Sequence, residues 1–294
     1  MHLQPQLFSS ESRLVIPQFK TQLLKWVGNK QRFAHEIASY FPFGFQRYFE
    51  PFLGSGAVLG TLAPAEGIGS DAFEPLVEIW QTLKQSPQTL KDWYAERWHL
   101  VKDLGKKNGY EQVKQSYNSN PNGADLLFLC RACYGGVVRF RKSDGYMSTP
   151  CGVHDPIQPT SFSNRVDIWR QRVSGCTFLL GNYESIMDMA QPGDLIYCDP
   201  PYTHSQGILY RGQSFQFTHL LEVIARCKAR GISVALSIDG TKKSGAVICD
   251  LPIPDSLFER EIFVNCGRSM LRRFQMGGQS LESELVSDRL LLTY

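Results

Sequence analysis

Strand-like and helix-like stretches alternate twice along this chain, over residues 47–80 and again from about residue 171, and few folds accept that order. In the first run RYFEPFLGSGAVLGTLAP passes from an aromatic-rich strand through a Gly-x-Gly turn into a small apolar helix. GIGSDAFEPLVEIW then gives a short strand closing on Asp71 and a second helix. In the second run CTFLL is a strand, YESIMDMA a helix, and GDLIYCDPPY a strand entering a loop. Thr218 can N-cap a helix reaching Arg230, and ISVALSID is a further strand. This rhythm predicts a parallel sheet covered by helices. FEREIFVN and SELVSDRLLLTY predict a closing antiparallel pair. Ahead of the first run, Phe33, Ile37, Tyr40 and Phe41 can share a helix face that Pro42 ends. Residues 1–20 read as an irregular extension.

Residues 81–170 break the alternation. Helix-like stretches run from Pro87 to Asn118 and from Ala124 to Tyr134. A β-hairpin follows: Val137 to Arg141, a Ser-Asp-Gly turn at 143–145, and Tyr146 to Thr149. This block holds 13 Lys and Arg against 8 Asp and Glu, an excess of five, while the whole chain carries only +3. The basic excess therefore sits in the middle block, and an inserted module with an anionic partner accounts for it. A solvated surface with an incidental excess accounts for the charge equally well. The expected organisation is a discontinuous catalytic domain at 21–80 and 171–294 around a recognition domain at 81–170.

With 294 residues, 43% of them hydrophobic, the chain can bury a large core and is not a disordered or collagenous sequence. No stretch approaches the ~18 apolar residues of a membrane helix, and no signal-peptide core opens the chain. A cytoplasmic protein is expected. Its eight cysteines read mostly as free, buried thiols.

Two constellations carry chemistry. Asp199-Pro200-Pro201-Tyr202 follows the strand LIYC, where an open α/β sheet binds its ligands. Two prolines fix the backbone and leave carbonyls free to accept. A carboxylate plus a fixed carbonyl can take both hydrogens of one exocyclic amine, and Tyr202 offers a face for a planar ring. The bland alternative is a proline-stiffened loop. The second constellation is Phe49-Glu50-Pro51-Phe52-Leu53-Gly54-Ser55-Gly56. Its glycines let a ligand approach the backbone at a strand-to-helix turn. Asp71, about twenty residues on, lies where an acid takes a ribose hydroxyl in nucleotide-type sites.

With these residues in place, the chain from about 21 to 294 resembles the Dam-type DNA N6-adenine methyltransferases. Leu24-Lys25-Trp26-Val27-Gly28-Asn29-Lys30 is similar to that family's K-W-x-G-x-K element. The resemblance implies a Rossmann-like, S-adenosylmethionine-dependent α/β sheet with an inserted, mostly helical recognition domain carrying a hairpin. It implies that Trp26, Lys30, Glu50, Pro51, Phe52, Gly54, Ser55, Gly56, Asp71, Asn182, Tyr183 and Asp199 hold S-adenosylmethionine. Asp199, Pro200, Pro201 and Tyr202 would be the catalytic tetrapeptide. Arg131, Tyr134, Gly135, Val137, Val138 and Arg139 match the recognition hairpin, with Arg139 the candidate for a bidentate guanine contact. Arg141, Lys142, Lys106, Lys107, Arg268, Arg272 and Arg273 are candidate phosphate contacts, the last three on an expected mobile basic loop.

Two departures stand out. Asn182-Tyr183 replaces the family's acid followed by Phe, though an Asn carbonyl still accepts from an adenine amine. Gly135-Gly136-Val137 stands where the Dam type-protein reads Asn-Gly followed by Leu, which leaves the recognition sequence open, with GATC as default. The implied partner is double-stranded DNA; a cognate restriction endonuclease is a candidate partner, and a monomer is expected. Competing readings are an N-methyltransferase of RNA adenine or of a protein glutamine amide, and a DNA-binding relic without catalysis. Cys130, Cys133, Cys151 and His154 have zinc-ribbon spacing, but matching family positions carry no metal, and none is expected. Trp80, Trp93, Trp98 and Trp169 read as helix packing, Tyr210, Phe215 and Phe217 as core or pocket wall, and His204 and His219 as surface residues.

Overall fold

In the computed structural model, residues 13–201, 215–242, 247–248, 253–268 and 285–294 are described, with backbone alone at 239–242, 247–248, 265–268 and 285–287. Five parallel strands form the body of one sheet: β1 (Tyr48–Glu50), β2 (Gly67–Asp71), β3 (Cys176–Leu180), β4 (Leu195–Cys198) and β5 (Ser233–Lys242). β6 (Val247–Ile248) pairs with β5, and β8 (Leu285–Leu292) inserts antiparallel between β5 and β7 (Arg260–Arg268). The strand order is β3-β2-β1-β4-β5-β8-β7. The chain therefore moves outward from β1 to β3, then returns to build on the other side of β1. That reversal opens a crevice beyond the carboxyl ends of β1 and β4, where open α/β sheets bind ligands.

Side-chain alternation divides the core between the two sheet faces. Phe49, Ile196 and Cys198 point into a cluster with α8 (Tyr183–Asp188) and α9 (Phe217–Ala229). Tyr48, Leu195 and Tyr197 point into the other cluster, with α1 (Ala34–Ser39), α2 (Ala57–Leu62) and α3 (Glu74–Gln85). Burial on both faces is what a parallel sheet requires. The second cluster runs on into the middle block. There α4 (Pro87–Leu104) packs on α5 (Lys106–Ser119), α6 (Gly123–Ala132) and α7 (Pro159–Arg172). Trp80 and Trp169 are fully buried, with ring centroids 5.3 Å apart, and tie α3 to α7.

Three local expectations change. Helix α9 begins at Phe217, which is buried in the core, so Thr218 lies inside the first turn and caps nothing. The hairpin is only loosely paired, with isolated bridges at Phe140–Met147 and Cys133–Cys151. Thr149 Oγ1 accepts from the Arg139 N–H at 2.9 Å and donates to the Val137 carbonyl, so a side chain replaces ladder bonds. The segment 13–20 is irregular yet anchored: the Leu14 N–H donates to the Ser39 carbonyl, and Phe19 meets Trp169 edge-on at 5.3 Å. Among the described residues no helix is long and apolar enough to cross a membrane.

Candidate active site

The turn after β1 is built to stay fixed. Gly54 and Gly56 both have positive φ, 49° and 62°, a region that side chains other than glycine avoid. A Cβ on Gly56 would lie 2.9 Å from the Trp80 ring, and one on Gly54 3.2 Å from Trp26. Trp80 Nε1 donates to the Gly54 carbonyl at 3.1 Å. Asp71, at the end of β2, accepts from the Gly54 N–H at 3.1 Å and the Phe73 N–H at 3.0 Å. Glu50 closes the other side, accepting from Tyr48 Oη at 2.7 Å and from the Leu59 N–H at 2.8 Å. The second bond caps the buried N-terminus of α2, where no side chain of the N-cap Gly56 serves.

These carboxyls sit in low dielectric. Burial pushes Glu50 up to about 8, with the charge of Asp199 adding to it against the hydrogen bonds from Tyr48 and Leu59. Burial likewise pushes Asp71 up to about 6, opposed by its backbone donors. Lys30 is 4% exposed. Burial would lower its pKa, but the carboxylates of Asp199 and Asp288 outweigh that and hold it above the ordinary lysine range. Its Nζ stands 2.9 Å from Asp199 Oδ1 and 3.4 Å from Asp288 Oδ2.

Between these groups lies a cleft of about 430 Å³, part of it open to solvent. Of the residues expected from sequence, Trp26, Lys30, Glu50, Phe52, Gly54, Ser55, Asp199 and Pro200 line it. Pro51, Gly56, Asp71, Asn182, Tyr183 and Pro201 are not part of the lining. Asp71 supports the turn from behind. Asn182 is exposed and caps α8, its Oδ1 accepting from the Ser185 N–H at 2.9 Å. Tyr183 stacks on Phe52, centroids 5.2 Å apart, and Phe215 meets both edge-on. Tyr183 Oη also bonds His219 Nδ1 at 2.8 Å, so His219 has a partner that its sequence neighbours did not suggest. Tyr202, Tyr210 and His204 lie outside the described residues, as do Arg272, Arg273 and the side chain of Arg268.

Sequence reasoning missed Tyr197 and Asp288. Tyr197 lines the cleft and bonds Ser237 Oγ at 2.9 Å. Asp288 had a signal: it shares its strand parity with Leu290 and Leu292, both fully buried, so an acid stands at a core-facing position.

The middle block separates into interior and surface residues. Arg131, expected on the DNA side, is buried: its guanidinium donates to the carbonyls of Gln22 (3.2 Å) and Leu23 (2.8 Å) and lies over the Phe162 ring. Burial lowers its pKa. Arg131 thus holds the segment leading to Trp26 and is withdrawn from any duplex. Val138 is likewise buried, at 3% exposure, because its side chain packs into the core beneath the hairpin. Tyr134, Gly135, Arg139, Arg141 and Lys142 are exposed, and Val137 is half-buried. Arg141 pairs with Asp144 at 2.8 Å and lies over the Tyr146 ring. Gly135 and Gly136 have φ of 65° and 67°, and a Cβ on Gly136 would come within 2.8 Å of the Lys25 stem. The paired glycines answer that strained, crowded turn. Cys130 and Cys133 are buried, and burial raises them to about 11 and 12; His154 is exposed. With Cys151 they form no ligand cluster among the described residues.

A profile of the D12 class N6 adenine-specific DNA methyltransferase family matches residues 26–263. The chain is 27% identical over 241 residues to the DNA N-6-adenine-methyltransferase of Escherichia phage P1, covering 76% of this chain and 30% of that one. It is 26% identical over 226 residues to a DNA adenine methylase of Vibrio cholerae, covering 73% and 79%. It is 23% identical over 238 residues to the type II methyltransferase M1.LlaDCHI of Lactococcus lactis, covering 72% and 79%. The match therefore takes in less than a third of the phage protein's length and most of the other two.

Proposed function

The chain belongs to the D12 class N6 adenine-specific DNA methyltransferase family, and from that premise we propose how its own residues carry out methyl transfer to N6 of adenine in DNA. The observation that carries the reading is the ion pair between Lys30 and Asp199, in the cleft that the following Pro200 also lines.

The cleft suits S-adenosylmethionine as donor. One wall carries the Asp199 carboxylate, facing a ligand that is a cation at sulfur, and Trp26 and Phe52 add aromatic surface. Gly54 brings backbone to the ligand without an intervening side chain, with Ser55 beside it. When bound, the donor supplies an electrophilic methyl group.

The protein's part is positioning and charge. Adenine N6 is inside a base pair, so the base must leave the stack, at a cost of a few kcal/mol. Asp199 and the Pro200 carbonyl accept the two N6 hydrogens, which directs the nitrogen lone pair outward. Lys30 bonds Oδ1 of Asp199 and so fixes the carboxylate's rotation. As positive charge grows on N6, Asp199 stabilises it at close range. Tyr202 stacks on the flipped ring. On the recognition side, Arg139 reads guanine in the groove. Arg141, Lys142, Lys106, Lys107, Arg268, Arg272 and Arg273 contact phosphates, and Arg141 exchanges Asp144 for phosphate on binding. The enzyme acts as a monomer, either alone or as the modification partner of a restriction endonuclease.

Single-molecule sequencing of plasmid from cells expressing the chain tests this reading, with Asp199→Ala as control. N6-methyladenine at one short motif, absent from the control, is expected. Unmodified adenine in both would redirect the assignment to an RNA or protein amine, or to a relic without catalysis.

A further inference from the structure

Asp288 lies on β8, far from the catalytic tetrapeptide in sequence, and is 7% exposed. Its Oδ2 stands 3.4 Å from Lys30 Nζ, on an ammonium that also bonds Asp199 Oδ1 at 2.9 Å. Among the described contacts one buried cation thus faces two carboxylates, a set with net negative charge behind the cleft. We propose that Asp288 is a positioning residue for methyl transfer: it shares the Lys30 ammonium with Asp199, so that Asp199 is oriented by Lys30 without being neutralised by it. This inference rests on the assignment of Asp199 as acceptor of the adenine amine.

The physical reason is electrostatic. A lysine paired with Asp199 alone would cancel the charge that must meet the cation growing on N6. A second carboxylate on the same ammonium leaves Asp199 with unspent attraction at that moment, when it is worth most in a water-poor site. Two described neighbours, Tyr197 and Glu50, do not supply that charge. Tyr197 on β4 lies beside Lys30, and a tyrosine hydroxyl is ordinarily neutral near pH 7. Glu50 on β1 is pushed up to about 8 by burial, so near neutral pH it is mostly protonated. On the flanking strands, Asp288 is in register with Asp239 of β5 and the apolar Val264 of β7.

The test measures methyl transfer by the full chain to plasmid DNA lacking N6-methyladenine, with S-adenosylmethionine as donor, across pH. Asp288→Asn keeps the size and removes the charge. A fall in kcat of about tenfold or more is expected, with KM for DNA and donor within about twofold, as for an interaction expressed mainly in the transition state. The acid limb of the kcat profile should also move to lower pH, because Asp199 loses a like-charged neighbour. Asp288→Glu should restore much of the rate. An Asn variant with wild-type kcat and an unmoved profile would overturn the inference. So would a loss that follows a lowered melting temperature and that Asp288→Glu does not relieve, which would assign Asp288 to stability. Asp199→Ala is measured alongside: if it stays active, the assignment of Asp199 itself fails, whereas an inactive Asp199→Ala beside a wild-type Asp288→Asn defeats only the present inference.

Discussion

Nζ of Lys30, which precedes the first helix, lies 2.9 Å from Oδ1 of Asp199, which follows the fourth strand. The contact joins the K-W-x-G-x-K-like element to the Asp-Pro-Pro-Tyr segment, so both belong to one site. It also gives Lys30 a role besides lining the cleft: its charge and its hydrogen bond act on the carboxylate proposed to receive the amine.

Asp199→Ala should abolish DNA methylation and leave the fold intact. The side chain is the proposed amine acceptor, and losing one such electrostatic partner costs about 10²–10³ in kcat. Methyl incorporation into DNA and a thermal melt, run together, check this; activity within tenfold of wild type would remove Asp199 from the role.

Glu50 should make stability depend on pH. Its pKa is raised in the folded chain from 4.5 to about 8, so the native state keeps a proton that the unfolded chain has released. The stabilisation is full below 4.5 and is lost as pH rises towards 8, at up to about 1.4 kcal/mol per pH unit. Denaturant unfolding at pH 7, 7.5 and 8, a unit or more above the titration of Asp71 near 6, should show falling stability. Glu50→Gln, still able to accept from Tyr48 and Leu59, should flatten that slope.

Asp71→Ala should weaken the donor site indirectly. Both of its carboxylate oxygens serve backbone N–H groups, those of Gly54 and Phe73. Truncation leaves these donors unpaired, at a cost of about 1–3 kcal/mol in stability, and frees the glycine turn. Calorimetry with S-adenosylmethionine should show a weaker dissociation constant alongside a lower melting temperature. An unchanged constant would mean that the turn is rigid without Asp71.

Arg131 and Arg139 should separate under substitution. Arg131→Ala removes buried bonds to Gln22 and Leu23 and should lower stability by about 1–3 kcal/mol. Arg139→Ala should leave the melt unchanged and reduce discrimination between DNA sequences by about 1–3 kcal/mol. If Arg139→Ala weakened all DNA equally, its contact would be with phosphate.

The sheet, its helices and the glycine turn were legible from local pattern. Phe49, Ile196 and Cys198 fall on one face of the sheet because strand residues alternate, and Gly54 and Gly56 mark a turn because other residues resist positive φ. Such signals are carried within a few residues, so reading along the chain recovers them. Burial of individual polar residues was not legible that way. Arg131 and Arg139 stand eight positions apart in one basic stretch, and composition treats them alike. Only the packing of the α6 end against the 22–23 segment turns the first inward, while the irregular hairpin leaves the second exposed.

The chain's order of residues dictated the parallel sheet, the place of the crevice and the motif set that identifies the family. Which charges meet there depended on strand order. β8 inserts between β5 and β7, and that arrangement brings Asp288 to the same ammonium that Asp199 holds. Sequence patterns report on neighbours in the chain; a buried charge is governed by neighbours in space, because Coulomb attraction and desolvation act across whatever distance the fold leaves between them.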